Sequence, residues 1–513
     1  MSRTLDAIRG YARTQPDAVA LEAGTGAELR SVTYAELVQL IDAQAARFEP
    51  ATVLGLLADN SIDWVVADLA ALQAGVVVVP IPAYFSEVQL QHTILAAGIN
   101  LILMDTLGAA ALQSAAFFNA TINATDNVVG SLRAYRVMPD SEHPSQPYPI
   151  PPGTQKITFT SGTTDAPKGV CLSLDAIEQV ALSLLSVIPA ELTTTTHARH
   201  LCVLPLATLL ENIAGVYLPL LAGATCLLPP LAQVGLNGSS GFNVVTQLSA
   251  ITTLRATSAI LVPQMLTAQV IALSAGMPCP TTLRYLAVGG GSVSPDLLRK
   301  AIGLGLPVVE GYGLSECASV VALNQVNSNR SGSVGRPLPH LQVTIADDGE
   351  IIVHGTHFAG YLGGISPASS IGLKTGDIGF LDEDGFLFIT GRKKSMFITA
   401  FGRNVAPEWI ERELLAQAGI LQAAVFGEAR ASSIALIVPH PSASHAAIEA
   451  AIAAANAVLP DYAKVGEWRC ARTPFTHDNG LLTHNGRLRR LVIYRAYADE
   501  LEPPHTKEFN AIL

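Results

Sequence analysis

The chain has 513 residues, 49% of them apolar and 14% charged, with a formal net charge of -11 at pH 7. That length exceeds what a single core serves, so at least two domains are expected. The thin, mildly acidic charge, with no basic run longer than Arg392-Lys393-Lys394 or Arg489-Arg490, excludes a general nucleic-acid binder. The six cysteines (Cys171, Cys202, Cys226, Cys279, Cys317, Cys470) form no CxxC pair and the twelve histidines show no metal-ligand spacing, so the thiols read as reduced core residues of a cytoplasmic protein without a structural metal.

From the N-terminus, Met1 to Ala12 lacks the apolar core of a signal peptide. Thr33 and Glu36 stand at capping-box spacing and open an amphipathic helix expected to reach Phe48. Val53 to Leu57 then reads as a buried strand, Asn60 to Gln73 as a helix, and Gly75 to Pro80 as a second buried strand, the repeating unit of a parallel sheet. Residues 106 to 154 lose periodicity and end in the proline-rich run Pro144 to Pro152, which predicts a surface excursion.

Gln155 to Leu172, QKITFTSGTTDAPKGVCL, is the stretch that carries chemistry. Ile157 and Phe159 alternate with Thr158 and Thr160 as in a half-buried strand, and Val170 to Leu172 resumes an extended pattern. Between them lie two glycines, hydroxyls and a lysine, the composition of a loop that wraps polyanionic oxygen. Pro167 before Lys168 and Gly169 after it exclude the Walker arrangement, and taken alone the loop is equally compatible with a Ser/Thr/Gly surface turn. Asp175 and Glu178 mark the start of the next helix, and Leu201 to Leu206 a short strand. Ile213 to Val234 is uncharged and apolar, but Pro219, Gly223, Pro229 and Pro230 break it, so a buried strand-turn-strand is expected rather than a membrane span. Peripheral membrane contact stays open. Leu283 to Val288 runs into Gly289-Gly290-Gly291 and a helix beginning at Ser294-Pro295. Val308 to Ser319 delivers Tyr312, Ser315 and Glu316 at a strand end, where α/β sheets collect ligands. Asp347-Asp348-Gly349 and Glu383-Asp384-Gly385 read as hairpin turns. Beyond residue 394, strands at Met396 to Ala400, Ala423 to Phe426 and Ser433 to Val438 alternate with helices at Pro407 to Gln417 and His445 to Val458.

Thr160 to Gly169 resembles the T-S-G-T-T-G-x-P-K-G signature of the AMP-forming adenylating enzymes, the acyl-CoA synthetase and luciferase superfamily, with Asp165 in place of a glycine. Four more segments resemble that family in the same order: Leu204 to Asn212, with Thr208 where a histidine or other aromatic is usual; Val308 to Ser319; Lys374 to Asp377 with Ile389 to Lys394; and Leu481 to Arg490, with Arg487 in place of the adenylation lysine. The run Met396 to Glu408 is most similar to the long-chain fatty acid-CoA ligases.

The resemblance implies a large N-terminal domain of α/β layers with parallel sheets and a β subdomain, residues 1–393, followed by a small mobile α+β domain, residues 394–513, with Lys394 as hinge. It implies ATP held by Thr160, Ser161, Gly162, Thr163, Thr164, Gly289, Gly290, Gly291, Tyr312, Gly313, Ser315, Asp377 and Arg392. Magnesium would be held by Thr163 and Glu316, and catalytic roles fall to Lys168, Glu316 and Arg487. The activity it implies is conversion of a carboxylic acid, fatty by the apolar run Leu206 to Leu236 in which Glu211 is the single charge, into an acyl-adenylate and then a thioester of coenzyme A. The alternatives are an acyl carrier protein supplied in trans, and a catalytically weak acyl- or nucleotide-binding homologue, to which Asp165, Thr208 and Arg487 point.

Overall fold

The computed structural model describes residues 2–24, 29–113, 122–138, 147–160, 167–193, 198–237, 241–355, 358–364, 372–401, 403–483 and 486–501. Two large sheets dominate the N-terminal part. One has nine strands in the order Arg336–Pro337, Ala322–Leu323, Val308–Tyr312, Tyr285–Val288, Ser258–Leu261, Arg199–Leu201, Thr225–Leu227, Val19–Ala23, Arg30–Thr33. Its middle is parallel and each end is closed by antiparallel pairing. The other runs Phe358–Tyr361, Lys168–Ser173, Thr154–Thr160, Val77–Pro80, Val53–Leu57, Leu101–Met104, Leu132–Val137, Ile122–Val129. The fold is therefore mixed α/β with parallel sheets, as expected.

The helices between the sheets share one core with both. Helix Ile62–Ala74 is apolar around its circumference and almost wholly buried, as that composition requires. Ser61 caps its start and Gly75, at φ +68°, ends it in the left-handed conformation that glycine adopts without strain. The helix also carries Asp68, whose carboxylate pairs at 2.8 Å with Lys156, a lysine 1% exposed in strand Thr154–Thr160. Asn212 joins the lysine, and its side-chain amide and the Tyr217 hydroxyl each donate to Asp68 at 3.1 Å. Burial pulls the Lys156 pKa down and Asp68 opposes it. A buried pair this well satisfied contributes placement more than net stability. What it places is the strand that leads into the phosphate-type loop.

Several sequence expectations need correction. Strand Thr154–Thr160 is buried at Lys156, Ile157, Thr158 and Phe159 alike, because it lies inside the sheet with layers on both faces; it is not half-buried. The stretch from 106 holds a helix, Thr106–Gln113, and an antiparallel pair, Ile122–Val129 with Leu132–Val137, which extends the second sheet. Strand Leu132–Val137 keeps alternation at buried Leu132, exposed Arg133 and buried Ala134, but the edge strand Ile122–Val129 shifts register between Ala124 and Val128, which breaks the pattern in sequence. The apolar run from Ile213 is not strand-turn-strand. It continues a π-helix, Glu211–Tyr217, into helix Leu218–Leu221, then a turn and strand Thr225–Leu227. Pro219 sits in the first turn of the second piece, where a missing N–H costs little. Glu178 does not cap its own helix, which starts at Ser173; it accepts from Ser2 Oγ and the Arg3 and Thr4 amides and so ties down the N-terminal helix. Cys470 is exposed and Cys279 half-buried, while the other four thiols are core residues. The capping box at Thr33 and Glu36, the strands around 53 and 77 and both predicted hairpins stand as read.

The hairpins build a four-stranded antiparallel sheet, Gln342–Ile345, Glu350–His354, Leu373–Leu381, Leu387–Arg392. Beyond it, strands Ile420–Phe426, Ser433–Pro439 and Val465–Cys470 are covered on one face by helices Pro407–Leu415 and His445–Val458, and on the other by Phe475, Leu481 and Ile493. Among the described residues no helix is long and apolar enough to cross a membrane.

Candidate active site

A cleft of about 3010 Å³ collects the strand ends of the nine-stranded sheet, the antiparallel sheet and the C-terminal unit. Thr160, Lys168, Gly289, Gly290, Gly291, Tyr312, Gly313, Ser315, Glu316, Asp377, Arg392, Lys394 and Arg487 all line it. Ser161, Gly162, Thr163 and Thr164 fall outside the described residues, as does Asp165.

At one end, strands Thr154–Thr160 and Lys168–Ser173 pair antiparallel, with Thr160 and Lys168 in register side by side. The Lys168 ammonium is exposed and stands 5.6 Å from the Tyr361 ring centroid. The Tyr361 hydroxyl donates to Glu316 Oε1 at 2.9 Å, and burial together with that carboxylate pushes the phenol pKa up. Tyr361 thus joins the cation from one sheet to the carboxylate of the turn Ser315–Cys317. It was not singled out in the sequence, where the only signal is its place after Gly360 in FAGYLGG.

A second cluster lies on the antiparallel sheet. Asp377 and Arg392 face each other in register on neighbouring strands, and Arg392 Nε pairs with Asp377 Oδ1 at 2.8 Å. The Tyr312 hydroxyl donates to Asp377 Oδ2 at 2.6 Å. Tyr312 therefore spans the glycine wall and the antiparallel sheet, and burial, then Asp377, raise its pKa. Gly313 has a reason of its own to be glycine, since a Cβ there would meet the Ser319 carbonyl at 1.5 Å. The turn that follows holds Ala318 and Ser319 at positive φ, 51° and 94°, strain of the kind found where a chain is bent to present a side chain, here Glu316. Gly290, at φ +82°, opens the wall opposite.

Arg487 reaches this group from the C-terminal unit. Its turn is closed by Thr483 N donating to the Arg487 carbonyl at 2.7 Å and by the Arg487 amide donating to Thr483 Oγ1 at 3.1 Å. The side chain stays open to solvent but is ringed by protein: desolvation and the Arg392 guanidinium lower its pKa, while Asp377 and Glu316 pull it back. Behind the turn, Arg490 makes a two-pronged ion pair with Glu411, 2.6 Å through Nη2, and reaches Glu408 at 3.3 Å. The basic end of the chain is therefore an anchored turn.

Behind the cleft wall, at His200, the side chains of His200, Cys202 and Glu211 bring potential ligand atoms within 4.8 Å of one another, which their spacing in sequence does not reveal. Both histidine nitrogens are engaged, with Ser258 Oγ at 3.0 Å and Glu211 at 3.2 Å. The Cys202 thiol donates to the Gly215 carbonyl, and burial raises its pKa far above the ordinary thiol value. The group is a closed hydrogen-bond network.

A two-sheet α/β body and a smaller C-terminal unit that meet at this cleft are the architecture that two family models match in turn. The AMP-binding enzyme family matches residues 8–362, and the AMP-binding enzyme C-terminal domain matches residues 394–508. The chain belongs to the AMP-binding enzyme family. It is 37% identical over 254 residues to the long-chain-fatty-acid–CoA ligase FadD15 of Mycobacterium bovis, an alignment covering 44% of this chain and 42% of that protein. It is 31% identical over 290 residues to the 2-succinylbenzoate–CoA ligase of Bacillus pumilus, covering 53% of this chain and 56% of the relative. The chain thus spans about half the length of the curated relatives it matches. Among solved structures, o-succinylbenzoate CoA synthetase (MenE) from Bacillus subtilis superposes with TM-score 0.72 at 22% identity in complex with the acyl-adenylate OSB-AMP, covering 95% of this chain and 97% of that one. The same protein with ATP and magnesium ion gives 0.70 at 23%, covering 94% and 98%. At that identity the likeness speaks for the fold.

Proposed function

We propose that the protein activates a carboxylic acid with ATP and passes the acyl group to a thiol, coenzyme A in the first instance. The observation that carries this reading is the convergence on one cleft of Lys168, Glu316, the Asp377–Arg392 pair and Arg487, drawn from three separate sheets and the terminal turn. In the first step a carboxylate oxygen bonds to the α-phosphorus and the bond to pyrophosphate breaks. In the second a thiol loses its proton, its sulfur bonds to the acyl carbon and AMP departs.

This chain's own residues have definable parts in that reading. Asp377 and Arg392 accept from and donate to ribose hydroxyls beside Tyr312, while Gly289 to Gly291 leave room for a flat base. Lys168 and the hydroxyl loop neutralise departing phosphate, and Arg487 bridges carboxylate and α-phosphate from the far side. Glu316 offers a hard carboxylate oxygen, the donor type magnesium takes, with Tyr361 fixing its other oxygen; Thr163 is the second ligand in this reading. Magnesium supplies charge neutralisation on the phosphates. Lys394 is the hinge, and the unit after it turns between the two steps. The acid is apolar in its chain, by the Leu184, Ile188, Leu218, Phe242, Met265 and Ile271 lining and by the relation to FadD15.

The test is MgATP-dependent pyrophosphate release over a panel of straight-chain, branched and aryl acids, followed by thioester analysis with coenzyme A and, separately, a carrier protein. Release with at least one acid and a thioester of coenzyme A are expected. Absence of release with every acid, from protein that binds ATP, would instead favour a binding homologue.

A further inference from the structure

The apolar wall of the cleft is interrupted by a row of polar side chains. In the nine-stranded sheet, His200 is in register with Ser258, and Ser258 with Tyr285, on three adjacent parallel strands. In-register neighbours present their side chains on one face, and all three border the cleft. Two residues further along the same face stand Ile260 and Ala287, both apolar, between the row and the Gly289 end. At about 3.3 Å per residue, Tyr285 lies ~13 Å along the wall from Gly289.

The row is only partly satisfied. Glu211, wholly buried on the π-helix, accepts from the Leu204 amide at 2.9 Å and engages His200, whose other nitrogen meets Ser258. Gly215 makes this possible, because a Cβ there would stand 2.2 Å from Glu211 Oε1 and 3.0 Å from His200 Nε2. Tyr285 is different. It is 7% exposed and its hydroxyl has no hydrogen-bond partner among the described residues. A buried hydroxyl without a partner is disfavoured unless something supplies one, and a merely structural wall would be built with phenylalanine.

We infer that Tyr285, with Ser258 beside it, selects acids that carry a neutral oxygen substituent, a ketone or hydroxyl, on the chain remote from the carboxyl group. This rests on the acid-activating reading and names its substrate class more narrowly. Tyr285 offers a free donor and acceptor, and Ser258, whose proton goes to His200 Nδ1 while Nε2 donates to Glu211, offers an acceptor: a ketone is held by Tyr285, and a hydroxyl can use both. A second carboxylate does not fit, because both histidine nitrogens are taken and the group behind His200 is another acid, Glu211.

The test compares a saturated acid, the same chain with a mid-chain ketone or hydroxyl, and a dicarboxylic acid of equal length. Pyrophosphate release at saturating MgATP should favour the oxygenated acid by roughly tenfold or more in kcat/KM, with the dicarboxylic acid poorest. Tyr285→Phe, which keeps the ring, should bring the ketone-to-plain ratio towards one through KM, and Ser258→Ala should narrow the hydroxyl-to-plain ratio. Calorimetric dissociation constants for the same acids apply the criterion without turnover, so loss of the ligase reading would show as absent pyrophosphate while the binding ratio still decides this inference. Equal use and equal binding of plain and oxygenated acids, or an unchanged ratio in folded Tyr285→Phe, would overturn it.

Discussion

Arg487→Ala isolates what the terminal turn adds to adenylate formation. The guanidinium is presented by a turn closed on Thr483 and backed by the Arg490–Glu411 pair, and it lies in the field of Arg392, Asp377 and Glu316. Hydrogen bonds from a charged donor contribute about 1.5–3 kcal/mol, so truncation should slow pyrophosphate release about 10- to 150-fold. Thioester formation from a supplied acyl-adenylate should change much less, because that step does not use the contact to the α-phosphate. Arg487→Lys keeps the charge but not the fork, and should fall between the two. Arg490→Met provides the comparison. It leaves Glu411 buried and unpaired, a loss of about 3–5 kcal/mol to the C-terminal unit, and lets the turn drift. Burial already raises the Glu411 pKa against the pull of Arg490. With the arginine gone the folded pKa rises further, so the folded state keeps Glu411 neutral above the ordinary carboxylate value; stability is complete below that ordinary value and is lost as pH rises from it through the raised one. Adenylation by Arg490→Met should therefore recover partly on acidification, and adenylation by Arg487→Ala should not. Stopped-flow pyrophosphate assays across pH, with and without coenzyme A, measure both. Natural rates in Arg487→Ala would refute the placement of this turn in the adenylation step.

Two further outcomes are expected. Tyr361→Phe removes the hydrogen bond to Glu316 but keeps the ring beside Lys168, so the magnesium concentration for half-activation should rise about tenfold while KM for ATP at saturating magnesium moves less; manganese binding followed by electron paramagnetic resonance should weaken in parallel, and an unchanged metal requirement would remove Tyr361 from the metal site. Burial pushes the Glu310 carboxyl up to about 8, against the Val293 amide and Arg412, so its neutral form contributes stability that is complete below 4.5 and lost as pH rises through about 8. Glu310→Gln keeps an acceptor for Val293 and should flatten that slope in denaturant titrations, whereas a slope equal to that of the natural protein would place the titrating group elsewhere.

The parts of this protein that were legible in its sequence are those where local chemistry and tertiary environment agree. Thr33 with Glu36 makes a capping box because both partners lie within one turn, and Asp347-Asp348-Gly349 makes a hairpin because Gly349, at φ +80°, is what the turn needs. Lys168, Tyr312, Glu316, Asp377 and Arg392, which line the cleft, stand out in the same way, as short motifs at strand ends. What escaped depends on distance in the chain. Lys156 reads as a solvated residue in an alternating strand until Asp68, 88 residues earlier, is seen beside it. The run after Ile213 reads as strands because its prolines and glycine break any α-helical period. A π-turn absorbs the irregularity and carries Glu211 onto His200, and such wide turns recur where function requires a side chain out of register. Tyr285 and Ser258 escaped for a third reason: each is one ordinary residue at the start of a strand, and only the register of three parallel strands turns them into a row. In the proposed function, motifs report the nucleotide end of the cleft, where backbone and phosphate chemistry fix residue types at fixed spacing. The acid end of that reading is written across strands, so the choice of substrate has to be read from the sheet and tested there.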